Sequence, residues 1–121
     1  MLKKINRLTK NKEFEQVFQT GRSSYNKLLG MKITPNNLGV NRFGILISSK
    51  ISKKAVERNK IKRRIRSVLA KQQAEFLRTG FDCVLITLKD ILNKTQVEIE
   101  GAIVWHLRKL KLTSYAASRK T

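Results

Sequence analysis

The apolar residues of this chain recur with two periods, one typical of helices and the other typical of strands. Helical spacing occurs in three segments: residues 12–20, 53–76 and 96–110. In the first segment, Phe14, Val17 and Phe18 lie at i, i+3 and i+4, so they share one face of a helix. Before the third segment, Thr95 and Glu98 have the spacing of a capping box. The pattern therefore predicts three amphipathic helices.

Strand spacing occurs in three further segments: residues 29–33, 42–49 and 81–88. Turn-forming residues at 35–39 separate the first two, which predicts that they pair as an antiparallel hairpin. The third contains a continuous apolar run at 84–86, which favours a central strand covered on both faces. The predicted order is α-β-β-α-β-α, a small α+β sandwich in a single domain spanning 1–121, with an ordered core at about 5–112 and a basic tail at 113–121. A right-handed crossover is the general expectation for its β-α-β unit.

The segment 53–66 combines helical spacing with an excess of positive charge. Eight of its fourteen residues are Lys or Arg, and Glu57 is its only acid. Ile61 and Ile65 share one side of the predicted helix, and a polar row lies on another side. The row consists of Asn59, Lys62, Arg63 and Arg66. A helix face that serves solubility usually includes acids that form i, i+4 pairs, so this face fits a polyanionic partner better.

The composition of the whole chain supports the same interpretation. The 121 residues include 27 Lys and Arg against 8 Asp and Glu, for a formal net charge of +19. Such a charge destabilises a compact protein by self-repulsion, so nucleic acid is the first candidate partner and an anionic membrane the second. In a basic protein, Phe14, Phe18 and Tyr25 are also candidates for stacking on unpaired bases. No apolar run approaches the roughly 20 residues that cross a bilayer, and the N-terminus lacks the apolar region of a signal peptide, so we expect a cytoplasmic protein.

The side-chain patterns that protein catalysis requires are missing from the sequence. The acids are dispersed, with no pair spaced for a two-metal site, and there is no phosphate-binding glycine loop. His106 is the only histidine, so it cannot supply both the acid and the base of a protein ribonuclease, and we expect it to be at the surface or hydrogen-bonded. Cys83 is the only cysteine and is expected to be a small core residue. If the protein belongs to an enzyme, another component is expected to carry out the chemistry.

Several motifs together resemble the protein subunit of bacterial ribonuclease P. The central motif is Lys-Lys-Ala-Val at 53–56 followed by Arg-Asn-x-x-Lys-Arg-x-x-Arg at 58–66. Asn-Arg-Leu at 6–8 and Phe-x-x-Val-Phe at 14–18 resemble the N-terminal region of that family. The resemblance covers about residues 5–110 and implies an α-β sandwich with a left-handed β-α-β crossover, an exception to the general rule.

In that family the catalyst is an RNA subunit, a magnesium-dependent ribozyme that removes the 5′ leader from precursor tRNA. The resemblance therefore implies a subunit without catalytic residues, Mg²⁺ that acts mainly through the RNA, and two partners, ribonuclease P RNA and precursor tRNA. It implies contact with neither DNA nor a membrane. The residues implied to bind the RNA subunit are Lys53, Lys54, Arg58, Asn59, Lys62, Arg63 and Arg66. Those implied to bind the leader are Phe14, Phe18, Lys32, Ser48 and Lys50, with Lys32 at a position where relatives can have an aromatic residue.

Three other functions remain open from the residues alone. A non-catalytic RNA-binding protein of the ribosomal type would explain the charge equally well, but not the basic motif and the Phe-x-x-Val-Phe helix together. A regulator of duplex DNA would place the basic helix in a major groove. A stand-alone protein nuclease would need acid–base pairs that the sequence does not offer.

Overall fold

The computed structural model describes residues 3–75 and 79–112. Its helices are α1 (Asn11–Thr20), α2 (Ala55–Glu75) and α3 (Gln96–Lys109). Its strands are β1 (Arg22–Tyr25), β2 (Leu29–Pro35), β3 (Arg42–Leu46) and β4 (Phe81–Thr87). Short 3-10 turns occur at Lys4–Asn6 and Lys89–Ile91. The predicted end of the basic helix at Phe76 and the predicted basic tail at 113–121 lie outside the described residues.

The four strands form one sheet in the order β1-β2-β4-β3. β2 pairs antiparallel with both β1 and β4, whereas β3 pairs parallel with β4. The central position predicted for the third apolar strand, here β4, is confirmed. The predicted hairpin between the first two apolar strands is wrong, because β4 lies between β2 and β3. Side chains 84–86 alternate between two covered faces, so a place between two neighbouring strands buries more of this run than an edge would.

Strand β1 is absent from the predicted order, so the structure contains one strand more than expected. Its sequence, Arg-Ser-Ser-Tyr, is mostly exposed at the edge of the sheet and has no apolar alternation to signal a strand. Its inward side chains bond to α3 instead. An Nη of Arg22 donates to the Leu110 carbonyl oxygen over 3.3 Å, and Ser24 Oγ lies 2.5 Å from Nδ1 of His106. The fold class itself, α+β, is confirmed, and the handedness of the β3-α2-β4 crossover stays a prediction.

The main hydrophobic core lies between the sheet and the helices α2 and α3. The buried apolar side chains of the helices are Ile61, Ile65, Val68 and Leu69 from α2, and Ile99, Ile103 and Leu107 from α3. The sheet contributes Leu29, Met31, Ile33, Phe43, Cys83 and Leu85. Each fully buried Leu or Ile stabilises the fold by about 1.5–3 kcal/mol. Cys83 is buried as predicted, and that burial raises the pKa of its thiol, which keeps the group protonated and unreactive.

Helix α1 packs on the opposite face of the sheet, which we call the α1 face. Val17 is fully buried there against Leu8 and Val84. The helix begins at Asn11, one residue after its N-cap, and Glu13 Oε1 accepts hydrogen bonds from the backbone N–H groups of Lys10 and Thr9. The helix ends at Thr20, as the sequence predicted, and the Gly21 N–H donates to the Val17 carbonyl oxygen over 2.8 Å.

An ionic network fixes α1 to the sheet. Arg42 donates two hydrogen bonds to the Asp82 carboxylate over 2.8 and 2.7 Å, and a third to Glu13 over 2.5 Å. The hydrogen bond to Asp82 is the main reason that the pKa of Arg42 is raised. Burial raises the pKa of Glu13, but its backbone hydrogen bonds and the Arg42 charge outweigh that effect and lower the pKa overall. These three partly buried charges hold α1 at one end of the α1 face.

Candidate nucleic-acid interface

The basic helix α2 begins with interactions that occupy part of its own polar side chains. Ser52 Oγ accepts a hydrogen bond from the Lys54 N–H over 3.1 Å and donates to the Glu57 carboxylate. Arg58 Nη1 donates to the Ser52 carbonyl oxygen over 2.7 Å. Glu57, the acid among the basic residues, is therefore bonded at the start of the helix, and Arg58 also supports this turn. Ser52 lies two residues before Lys54, the residue that immediately precedes α2.

The predicted polar row on α2 is present, with a graded exposure. Asn59 and Arg63 are exposed, whereas Lys62 and Arg66 are half-buried. Burial lowers the pKa of Arg66, and the nearby charge of Arg7 lowers it further. Within the ranges 3–75 and 79–112, none of the cations at 58–66 forms an ion pair with a carboxylate. The row thus presents positive charge that the described part of the protein does not neutralise.

The segment between β3 and α2 carries the other basic residues predicted to bind RNA. Lys53 and Lys54 are exposed and precede the first turn of α2. Ser48 and Lys50 are also exposed, and Ser48 Oγ accepts a hydrogen bond from the Lys50 N–H over 3.0 Å. This segment leaves the sheet beside Leu46, so its cations lie between the start of α2 and the end of β3.

The α1 face has an uncovered end, which we call the open strip. The strand register places four residues side by side across the sheet at this end: Tyr25, Gly30, Ile86 and Leu46. At the two ends of the strip, Tyr25 is 51% exposed and Leu46 is 37% exposed. Tyr25 lies directly over Gly30, where any side chain would collide with the phenol ring. The strip is therefore a partly exposed, largely apolar surface next to α1.

Both phenylalanines of α1 lie at the border of the open strip. Phe18 is 40% exposed, and Nζ of Lys32 lies 5.7 Å from the centre of its ring. Phe14 is half-buried against Gly44 and packs on the cluster of Leu8, Val17 and Val84. Phe18 and Lys32 together form an exposed aromatic and cationic pair, whereas Phe14 contributes as much to packing as to the surface.

The two predicted sets of site residues lie on different faces of the molecule. The phenylalanines and Lys32 lie on the α1 face, and the α2 row lies on the helical side of the sheet. The proximity of Arg66 to Arg7 connects them, because Arg7 forms a bridge with Phe43 along the outer edge of β3. Arg7 and Arg66 therefore extend the basic surface of α2 to the β3 edge of the sheet.

Two features of the interface were missed by sequence reasoning. The first is the place of Tyr25, which the sequence marked only as a general candidate for stacking. An aromatic residue opposite a glycine on a paired strand would have been the signal, but β1 was not predicted. The second feature is a polar notch between α2 and α3. It is lined by Lys60, Arg63, Arg64 and Gln96. Arg64 Nη1 donates to the Lys94 carbonyl oxygen over 2.5 Å, a contact between α2 and the segment before α3 that periodicity alone cannot reveal.

His106 has a structural role, as the sequence predicted. Nε2 donates to the Leu29 carbonyl oxygen over 2.7 Å, so in the neutral ring Nδ1 accepts from the Ser24 hydroxyl. Burial lowers the pKa of His106, and the bond to Leu29 offsets only part of that effect.

Across residues 3–75 and 79–112, no three His, Cys, Asp or Glu side chains come together to hold a metal ion. In the same ranges, no helix is both long and apolar enough to cross a bilayer.

Comparisons with known proteins agree with this geometry. The model of the Ribonuclease P family matches residues 2–111. The ribonuclease P protein component of Alkaliphilus metalliredigens is 38% identical over 109 residues, which cover 90% of this chain and 96% of the relative. That of Clostridium botulinum strain 657 is 36% identical over 106 residues, which cover 88% and 95%.

Solved structures give the same result at the level of the fold. The ribonuclease P protein of Staphylococcus aureus superposes with a TM-score of 0.81 at 26% identity, covering 90% of this chain and 98% of that one. The protein from Thermotoga maritima gives a TM-score of 0.74 at 25% identity, covering 81% and 91%. The chain belongs to the family of ribonuclease P protein components, a subunit of the enzyme that processes the 5′ end of tRNA.

Proposed function

We propose that this chain binds ribonuclease P RNA through α2 and the single-stranded 5′ leader of precursor tRNA through the open strip beside α1. Family membership implies association with ribonuclease P RNA, and the contact with the leader is the finer part of the proposal. One observation supports it above the others: among the described residues, the α2 row forms no ion pairs, and the open strip on the other face of the sheet carries exposed Tyr25 and borders exposed Phe18 with Lys32. The RNA subunit carries the catalysis, and the protein contributes binding.

The α2 row would act through electrostatics. Arg63, Lys62 and Arg66 lower the repulsion between two polyanionic RNAs and release the counterions that those RNAs hold. Asn59 adds an amide that both donates and accepts hydrogen bonds. Because Lys53 and Lys54 are exposed just before the helix, they extend the basic surface toward the end of β3.

The open strip would hold the leader with little sequence preference. Unpaired bases stack on aromatic rings whatever their identity, which suits Phe18 and Tyr25, and Lys32 can neutralise a phosphate between them. Ser48 and Lys50 offer a hydroxyl and an ammonium group at the far end of the strip. A precursor with a leader then binds better than mature tRNA, and this difference favours release of the product.

Mg²⁺ enters this proposal as an ion held mainly by the RNA. The described side chains offer no cluster of metal ligands, so no step is assigned to a metal bound by this chain. The protein would raise the local affinity of the RNAs for Mg²⁺ by reducing their repulsion. A cytoplasmic location, with neither DNA nor a membrane as partner, completes the proposal.

The leader contact is tested with Phe18→Ala in the assembled RNA–protein complex. Stacking on one base contributes about 1–3 kcal/mol, so the variant should lose roughly tenfold of the preference for precursor over mature tRNA. Affinities of both tRNAs are measured by equilibrium binding. The ring is 40% exposed, so the free energy of unfolding should change little.

The matched control is Leu38→Ala. Leu38 is 54% exposed and lies beyond β2, at the other end of the strands from the open strip. It should leave the preference for precursor tRNA unchanged. Equal preferences in the two variants would remove Phe18 from the leader site.

A further inference from the structure

The outer surface of α3 carries an aromatic groove that the proposed function does not use. It is lined by Gly101, Val104, Trp105, Arg108 and Lys109 and has a volume of about 520 Å³. These residues lie on the side of the helix opposite Ile99, Ile103 and Leu107, which are fully buried. We infer that this groove is a second site for single-stranded RNA, in which an unpaired base stacks on Trp105 and the neighbouring cations bind its phosphates.

Trp105 is held in place before any ligand arrives. Its side chain is 45% exposed, which is unusual for the largest apolar residue. The His106 ring meets the indole edge-on at 5.0 Å, and Nζ of Lys109 lies 5.8 Å from the ring centre. A fixed indole loses little conformational freedom when a base stacks on it, so stacking is favoured.

Gly101 is an independent sign that something approaches this surface. It lies in the interior of α3, where glycine costs roughly 0.5–1 kcal/mol relative to alanine. Among the described residues, nothing lies within 4 Å of a Cβ atom placed at this position, so their packing does not require glycine. The missing side chain leaves the helix surface bare one turn before Trp105. A planar base can therefore lie close to the helix backbone beside the indole.

Charge selects RNA over a second copy of the chain as the occupant. Arg108 and Lys109 border the groove, and the two acids of α3 are engaged elsewhere: Glu98 with Thr95 at the start of the helix and Glu100 with Lys71. Two copies of a chain with a formal charge of +19 repel each other. A polyanion with exposed bases satisfies both the aromatic ring and its flanking cations.

The test uses the intrinsic fluorescence of the chain, because Trp105 is its only tryptophan. The full-length protein is titrated with an unstructured oligouridylate at neutral to mildly basic pH, where His106 is uncharged. Stacking should quench the emission of Trp105, and added salt should reverse the quenching. Anisotropy of a labelled oligouridylate measures total binding in parallel.

Three variants make the result specific. Arg108→Ala with Lys109→Ala should weaken the quenching by at least about fivefold, because charge-assisted contacts are lost. Gly101→Leu, which fills the groove without changing charge, should also weaken it. Lys3→Ala with Lys4→Ala, which removes the same charge near the β3 edge of the sheet, should not. Circular dichroism confirms that each variant is folded.

In the Phe18→Ala variant, the oligouridylate should quench the emission of Trp105 as strongly as in the unaltered protein. This result separates the inference from the leader site on the α1 face. Binding detected by anisotropy without any quenching of Trp105 would overturn the inference and leave the leader site untouched. A blue shift of the emission that grows with protein concentration in the absence of RNA would also overturn it, because a second copy would then cover the groove.

Discussion

Two glycines of the sheet each make room for an aromatic ring on the α1 face. The ring of Phe14 lies over Gly44, and the ring of Tyr25 lies over Gly30. At either position a Cβ atom would collide with ring carbons, so the place of each aromatic residue depends on the absence of a side chain across the sheet. The border of the open strip is therefore set by glycines on β2 and β3 as much as by the aromatic residues themselves.

Substitutions at two glycines should have opposite effects on stability. Gly44→Ala should lower the free energy of unfolding by about 1–3 kcal/mol, because Phe14 must move to avoid the new methyl group. Gly101→Ala should raise it by roughly 0.5–1 kcal/mol, because alanine favours the helix and no described residue lies within 4 Å of its methyl group. Urea denaturation measures both. Changes of the same sign would contradict the packing described for one of these positions.

His106 should make stability depend on pH. Its pKa in the folded protein lies below the ordinary value of 6.5, so the unfolded chain binds the proton more readily. The stabilisation is complete above about pH 6.5 and is lost as the pH falls through the folded-state pKa. The pKa of Glu13 is also lowered, but the stabilisation that Glu13 provides is lost only when the pH falls below its ordinary value of 4.5.

The measurement is urea denaturation between about pH 7.5 and about pH 5.5. The unaltered protein should lose stability toward the acidic end, and His106→Gln, which can still donate to the Leu29 carbonyl oxygen, should lose much less. No other histidine titrates in this window, because the chain has only one. An equal pH dependence in both proteins would mean that protonation of His106 does not oppose folding.

Single residues were predicted from the sequence where their neighbours along the chain decide their environment. Cys83 was recognised as a core residue because it lies in an apolar run. The structural role of His106 was also recognised, but its partners Ser24 and Leu29 were not, since both belong to strands whose pairing the local sequence does not reveal.

At the scale of elements, α2 was the most predictable part of the interface. Ile61 and Ile65 mark its buried side by spacing alone, and the row that contains Asn59 and Arg63 follows from the same helical geometry. Periodicity could not show that Arg58 bonds to the Ser52 carbonyl oxygen, because that contact depends on the path of the chain before the helix.

Replacing one cation of the α2 row should change how RNA binding depends on salt. Arg63→Ala should weaken binding to ribonuclease P RNA and reduce the slope of log K against log salt by roughly 0.7–0.9, the effect of one lost phosphate contact. Filter binding over a range of salt concentrations measures the slope. Lys71→Ala, eight residues further along the same helix, removes an exposed charge outside the row and should leave the slope unchanged. Equal slopes for all three proteins would place this row away from the RNA.

The strands show where pattern reasoning reaches its limit. β1 has polar residues on both sides because it is an edge strand that bonds to α3 through Arg22 and Ser24, so it lacks the usual alternation. The rule that consecutive strands form hairpins failed for β2 and β3, because six residues connect them and leave room for β4 in between. The open strip could not be predicted for the same reason: its residues become neighbours only in the observed register.

At the scale of the whole molecule, the charge is distributed for binding polyanions. The ion pairs among the described residues include a partly buried one that fixes α1, and the α2 row lies outside them. Basic surfaces therefore remain on α2, beside Phe18 and at the end of α3. The class of fold and the basic helix followed from the sequence, whereas the division of the site between two sheet faces required the structure.

The central claim is that this protein assists an RNA catalyst, and one reconstitution tests it most directly. A precursor tRNA with a 5′ leader is incubated with bacterial ribonuclease P RNA at low Mg²⁺, with and without this protein, and also with the protein alone. The account predicts cleavage at the mature 5′ end that is strongly stimulated only when RNA and protein are combined. Cleavage by the protein alone, or no stimulation by a protein that still binds the RNA, would contradict it.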